Sequence, residues 1–195
     1  MCGRIDIQGE RLSQGVSRLL GFDFDVASNR DLRPTQTLQA IILSDQGFTQ
    51  MDAAWGIKPA WSKQLLINAK AETVAQKPTF KKAFRERRCI VPCSGWYEWR
   101  DEGGAKKQKY HFQHSEGLPL LMAAIWYPSA AEGGSRQIVT LTTAPNSPCA
   151  EYHSRMPLLI EPEELAIWLG DQSIIPPLLI AVSRVHAISI APMPK

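Results

Sequence analysis

Apolar positions along this 195-residue chain fall mostly into short runs rather than long helical stripes. Runs bounded by Gly, Pro, Asn and Asp predict strands at 38–44, 49–55, 88–92, 95–100, 109–113, 119–126, 137–143 and 185–190. Helical spacing is confined to a few places. Leu12, Val16, Leu19 and Leu20 recur on one helical face, so a helix is expected from Glu10 to Leu20, stopped by Gly21. Pro162 opens a second, from Pro162 to Leu169, with Gly170 behind it as a stop. Phe80, Ala83 and Phe84 form the apolar side of a short third helix whose other side is basic. Because helices do not alternate with strands, a doubly wound parallel sheet is disfavoured. The pattern reads as α+β, with a largely antiparallel, barrel-like sheet and flanking helices.

The length fits one domain over residues 1–195, and 44% hydrophobic residues suffice for a substantial core. No run is long and apolar enough for a membrane span, and no basic-then-apolar signal peptide opens the chain, so a soluble, cytoplasmic protein is expected. That compartment implies reduced thiols for Cys2, Cys89, Cys93 and Cys149. Cys89-x-x-x-Cys93 has no second Cys/His pair at zinc-finger spacing, so no metal is expected, and Cys89 reads as a small core hydrophobe.

The net charge of +3 conceals an asymmetry: residues 58–109 carry 13 Lys/Arg against 5 Asp/Glu, and the rest of the chain 9 against 14. The basic region also holds Trp61, Trp96, Tyr97 and Trp99, with Trp55 just ahead of it. Cations that neutralise phosphates beside rings that stack on unpaired bases suit single-stranded nucleic acid; a merely solvated helix face is the other reading.

Four residues stand out chemically. Cys2 follows Met1, and removal of Met1 would leave a 1,2-aminothiol, able to form an imine with an aldehyde and close it to a thiazolidine. Its amine is already partly neutral near pH 7, and its thiol would need only modest electropositive help to become a good nucleophile. Glu98, in Ser94-Gly95-Trp96-Tyr97-Glu98-Trp99, is either a carboxyl raised by partial burial into the range of a general acid or base, or a rim residue paired with a lysine. Asn68 follows an apolar run and reads as a functional edge or as a turn or helix cap. His153, in Glu151-Tyr152-His153-Ser154-Arg155-Met156-Pro157, keeps more site-like company than His111, His114 or His186.

Taken in order, Met1-Cys2-Gly3-Arg4, Pro34-Thr35-Gln36, Trp55-Gly56-Ile57-x-Pro59-x-Trp61, Asn68-Ala69-x-x-Glu72-Thr73, Arg88-Cys89-Ile90-Val91-Pro92, Gly95-Trp96-Tyr97-Glu98-Trp99, Thr142-Thr143-Ala144-x-Asn146 and His153-x-Arg155-Met156-Pro157 resemble the SOS-response-associated peptidase (SRAP) family. The set spans nearly the whole chain. The resemblance implies a single SRAP domain that senses abasic sites in single-stranded DNA and crosslinks to them through Cys2, with Asn68, Glu98 and His153 around it and no cofactor. It also implies phosphate contacts at Arg4, Lys70, Lys77 and Arg85, base contacts at Pro34, Trp61 and Trp99, and a monomer that joins the nucleoid when bound to DNA. Two further readings stand beside it: a Cys2-dependent thiol (auto)peptidase and a non-covalent single-stranded DNA-binding module. The chain departs from the family at Arg30-Asp31-Leu32-Arg33, where Tyr-Asn, an apolar residue and Ala are usual, and at Lys70, where Arg is common.

Overall fold

The computed structural model describes residues 2–129, 134–170 and 187–194. The first half runs β1 (Ile5–Ile7), α1 (Gly9–Leu20), β2 (Asn29–Leu32), β3 (Thr37–Ser44), β4 (Gly47–Trp55), β5 (Asn68–Lys70), α2 (Ala71–Val74), α3 (Pro78–Glu86) and β6 (Arg88–Cys93). The second half adds β7 (Gly95–Arg100), β8 (Gln108–His114), β9 (Leu120–Tyr127), β10 (Arg136–Thr143), α4 (Ser147–Ala150), β11 (Met156–Pro157), a 3-10 turn (Pro162–Glu164), α5 (Leu165–Leu169) and β12 (Ile188–Pro192). The α+β expectation holds. Among the described residues no helix is long and apolar enough to cross a membrane.

One sheet has the order β10-β4-β3-β6-β9, and a further pairing of β9 with β10 closes it into a ring. Most neighbours are antiparallel, but β10 runs parallel to β4 through its first half and parallel to β5 through its second. The other sheet, β12-β8-β7-β1-β2, lies against the ring, and the turn between β6 and β7 ties them through Ser94 N–H to Asp6 C=O at 2.9 Å. Strand β6 is buried along its whole length, which explains the apolar run Cys89-Ile90-Val91-Pro92-Cys93 behind Arg88.

Local chemistry sets the boundaries. Gly21 ends α1 in the left-handed conformation at φ 70°, its N–H on Ser17 C=O. The proline that begins α3 sits where its missing N–H costs nothing, and Ala83 and Phe84 are its buried residues. At Gly95 a side chain is impossible, because a Cβ would stand 2.3 Å from the Phe112 carbonyl oxygen of β8.

Several expectations need correction. The helix expected from Pro162 divides into the 3-10 turn and α5, and the strand expected at 185–190 falls partly outside the described residues, its described part opening β12. Arg88 does not join a solvated basic face: it is buried, donating to Trp168 C=O at 2.5 Å and Phe84 C=O at 3.1 Å, with Trp168 beneath its guanidinium. Trp55, Trp96 and Tyr97 are likewise buried, which removes them from the supply of stacking surfaces.

Candidate active site and nucleic-acid face

Cys2 lies just ahead of β1 and is buried. Its carbonyl accepts a 2.9 Å hydrogen bond from Asn68 Nδ2, while Asn68 Oδ1 accepts one of 2.6 Å from the Thr140 hydroxyl. The second bond orients the amide, because Thr140 stands directly opposite Asn68 in the parallel β5–β10 pairing. Asn68 is therefore a strand residue; Lys70, not Asn68, stands at the cap of α2, so the turn-or-cap reading is set aside.

Glu98 comes from β7, where alternation places Trp96 and Glu98 on one face and Tyr97 and Trp99 on the other. The carboxyl is 4% exposed, and burial pushes it up to about 7 from 4.5. The rim-residue reading of Glu98 is therefore excluded. Its charge is close enough to Cys2 to act on the thiol. Burial first, then Glu98, hold the Cys2 proton well above the ordinary thiol range. The modest electropositive help that the Cys2 thiol would need is thus outweighed by burial and a nearby carboxylate. Cys89, Cys93 and Cys149 are also buried free thiols, and burial pushes Cys149 up to about 12.

His153 stands in the loop after α4. Asn146 caps that helix, its Oδ1 accepting from Cys149 N–H at 3.2 Å. The loop is then clamped at Arg155, whose guanidinium meets both oxygens of Glu72 at 2.7 and 2.8 Å and Thr142 C=O at 2.6 Å. That fork holds Glu72 below the usual carboxylate range and fastens the histidine loop to α2, directly after the strand that carries Asn68. On the other side Tyr152 packs edge-on against Tyr110 of β8, the cross-strand partner of Glu98. The His153 Nδ1 is 3.0 Å from both Arg155 N–H and Arg155 C=O, so it finds a partner whether it accepts or donates. Burial pushes His153 down, and the positive charge of Lys107 adds to that.

The nucleic-acid candidates divide into engaged and open groups. Trp61 is 70% exposed and lines a cleft with Lys58, Thr79 and Tyr127. Lys70 and Lys77 are exposed. Arg85 projects into solvent but shares Glu86 at 2.8 Å. Arg4 is bonded to Asp31 and stacked 5.8 Å over half-buried Trp99. Pro34 occupies the second position of a turn closed by Gln36 N–H to Arg33 C=O at 3.1 Å, and Thr35 in the third position has φ 76°. That is a type II turn with a β-branched residue where glycine is usual. Thr140 and the Glu72–Arg155 clamp were not singled out by chemistry, although Glu72 and Arg155 lie within the quoted motifs. Among the described residues no group of three or more metal-ligating side chains occurs.

Comparison with known proteins matches this architecture. A protein from Bacteroides thetaiotaomicron of solved structure shares the fold, with a TM-score of 0.82 at 22% identity over 100% of this chain and 93% of that one. The "Abasic site processing protein YedK" of Escherichia coli is 29% identical over 88% of this chain and 81% of its own. The "Abasic site processing protein YoqW" of Bacillus subtilis is 28% identical over 73% of this chain and 67% of its own. The model of the SOS response associated peptidase (SRAP) family matches residues 1–188, and the chain belongs to that family.

Proposed function

We propose that this protein captures abasic sites in single-stranded DNA covalently, through the amine and thiol of Cys2 once Met1 is removed. The observation that carries this reading is the convergence on Cys2 of the Asn68 amide, bonded to its carbonyl, and the buried Glu98 carboxyl, titrating at about 7. Relatives named for abasic-site processing supply the substrate class.

The chemistry follows from the residue types. An abasic deoxyribose is mostly a ring-closed hemiacetal, and only its open aldehyde reacts. His153 moves the proton that opens the ring; its Nδ1 has a partner in either state. The Cys2 nitrogen attacks the aldehyde carbon, and Glu98 takes a proton from the amine and returns it to the departing water as the imine forms. A group with a pKa near the operating pH serves both directions. The Cys2 sulfur then adds to the imine carbon and its proton passes to the nitrogen, closing the thiazolidine. Asn68 holds the Cys2 carbonyl with one Nδ2 hydrogen and offers the other to the sugar hydroxyl freed by ring opening. Trp61, Pro34 and Trp99 abut bases, and Arg4, Lys70, Lys77 and Arg85 meet phosphates.

The thiol peptidase reading needs a Cys2 thiolate, and a site whose burial and nearby carboxylate keep the proton on sulfur weighs against it. The aminothiol route starts at nitrogen and tolerates a protonated thiol.

The test is incubation with abasic and intact single-stranded oligonucleotides, followed by a denaturing gel. An adduct is expected with abasic DNA alone and is lost in Cys2→Ala. One untrimmable residue placed ahead of Cys2 makes its nitrogen an amide and should abolish the stable adduct. Cys2→Ser should leave only a labile species that borohydride traps. A stable adduct from the extended protein would refute the aminothiol mechanism.

A further inference from the structure

Along the outer sheet, the residue ahead of β1, the residue after β2 and a residue of β8 bring three cations to one carboxylate. Asp31, on β2, accepts from Arg4 Nη1 at 2.6 Å on one oxygen and from Arg33 Nη2 and Nε at 2.6 and 3.0 Å on the other. Lys109 of β8 approaches the first oxygen at 3.8 Å. Its ammonium lies 3.8 Å from the centre of the Tyr97 ring and 5.7 Å from that of Trp99, the ring over which Arg4 also stands. Lys109 also lines an open cleft with Lys106 and Lys107, and the charge of Lys107 reaches His153.

Three cations around one anion leave a surplus of positive charge on an aromatic floor. The arrangement is that of a phosphate site, with two oxygens each met by donors and a planar fork on one of them. The carboxylate takes the place of the phosphate oxygens. All four side chains are between 28% and 57% exposed, so a ligand reaches them without unfolding the sheet. Partial burial raises the Asp31 carboxyl, but the bonds from Arg33 and Arg4 outweigh it and hold the group ionised through the neutral range.

We infer that Arg4, Arg33 and Lys109 form a phosphodiester subsite, and that Asp31 is a built-in competitor which a DNA phosphate must displace. Of the residues in this cluster, resemblance assigned a phosphate role only to Arg4; Arg33, Lys109 and the antagonism of Asp31 come from the geometry. The inference rests on the proposed single-stranded DNA reading. Its consequence is discrimination: the carboxylate weakens casual binding of intact strands, while a covalent reaction elsewhere retains damaged ones.

Fluorescence anisotropy with intact oligothymidylate reads this step alone, whether or not an adduct forms on abasic DNA. Asp31→Asn should bind about threefold to tenfold more tightly at low salt. The slope of log K against log salt should steepen by up to about 0.7, the value of one more neutralised phosphate on a single strand. Asp45→Asn, in the exposed β3–β4 turn, makes the same change in net charge away from the cluster and should change affinity much less. Arg33→Ala and Lys109→Ala should each weaken binding about threefold to tenfold and flatten the slope. A gain from Asp31→Asn no larger than that from Asp45→Asn, or a loss, overturns the inference and leaves the abasic-site reading in place. Tighter binding by Asp31→Asn in a protein that forms no adduct would sustain the subsite and refute the covalent reading.

Discussion

Glu98→Gln should stabilise the protein at neutral and alkaline pH while slowing its chemistry. The carboxyl titrates at about 7 in the fold, against 4.5 when unfolded, and burial is the largest cause. A raised carboxyl pKa means that the native state holds its proton more tightly than the unfolded chain does. Its contribution is therefore fully favourable below pH 4.5, is lost progressively as pH rises, and is gone above about 7. With about 1.4 kcal/mol for each tenfold change, the loss amounts to about 3 kcal/mol. Glutamine keeps the shape and carries no charge to bury. For a protein of this size a kilocalorie corresponds to roughly 2–4 °C, so Glu98→Gln should raise Tm by roughly 6–12 °C at about pH 8 and change it little at about pH 4. Thermal unfolding across that range, followed by circular dichroism, measures the difference. Crosslinking by the same variant should slow by roughly 10²-fold, since the proton carrier is gone. The same Tm gain at both pH values, or none at the higher, would mean that burying this charge costs the fold nothing, and the assignment of Glu98 as a tuned acid–base group would fail with it.

Trp61→Ala should weaken binding of intact single-stranded DNA by about 1–3 kcal/mol with little regard to sequence, because a stacking ring reads no base identity. The ring is 70% exposed, so stability should move by less than about 0.5 kcal/mol, and an affinity unchanged in anisotropy would remove Trp61 from the interface. Thr35→Asn should stabilise the fold by about 1 kcal/mol in denaturant titration, because Asn tolerates the φ of 76° that a β-branched residue resists; a loss would point to an unseen role for the threonine.

What the sequence made legible follows from the range of the forces involved. Long strands such as β3, β4 and β9 carry enough apolar residues for their period to be read locally. Strands β1, β2, β5 and β11 have two to four residues each and exist because a distant partner pairs with them, so no local pattern announces them. Glu98 was legible because a carboxylate among aromatics is chemically conspicuous, and Cys2 because of its place. Asn68 was noticed, but its functional-edge and turn-or-cap readings could not be told apart: the parallel partner Thr140 lies 72 residues away and carries no motif of its own. The aromatic supply was overstated, since composition cannot separate Trp55, sealed in the core, from Trp61 in solvent. The Asp31 cluster was invisible because its members come from three separate stretches of the chain, around residues 4, 31–33 and 109. Sequence showed only that Arg30-Asp31-Leu32-Arg33 was unusual.

The placement of β10 has a consequence for how the protein comes into being. This strand pairs with β9, β4, β5 and β11, and the bonds that locate the site's residues reach 66 residues from Cys2 to Asn68, 72 from Asn68 to Thr140 and 83 from Glu72 to Arg155. Contacts so distant in sequence form late, after most of the loop-closure entropy has been spent. During synthesis Cys2 precedes Asn68, Thr140 and Arg155, so for that interval it lacks the Asn68 amide bond and the Thr140 hydroxyl that orients it. Under the proposed aldehyde chemistry, the surroundings that tune Cys2 are acquired only at the moment of barrel closure, and quality control of folding doubles as quality control of reactivity.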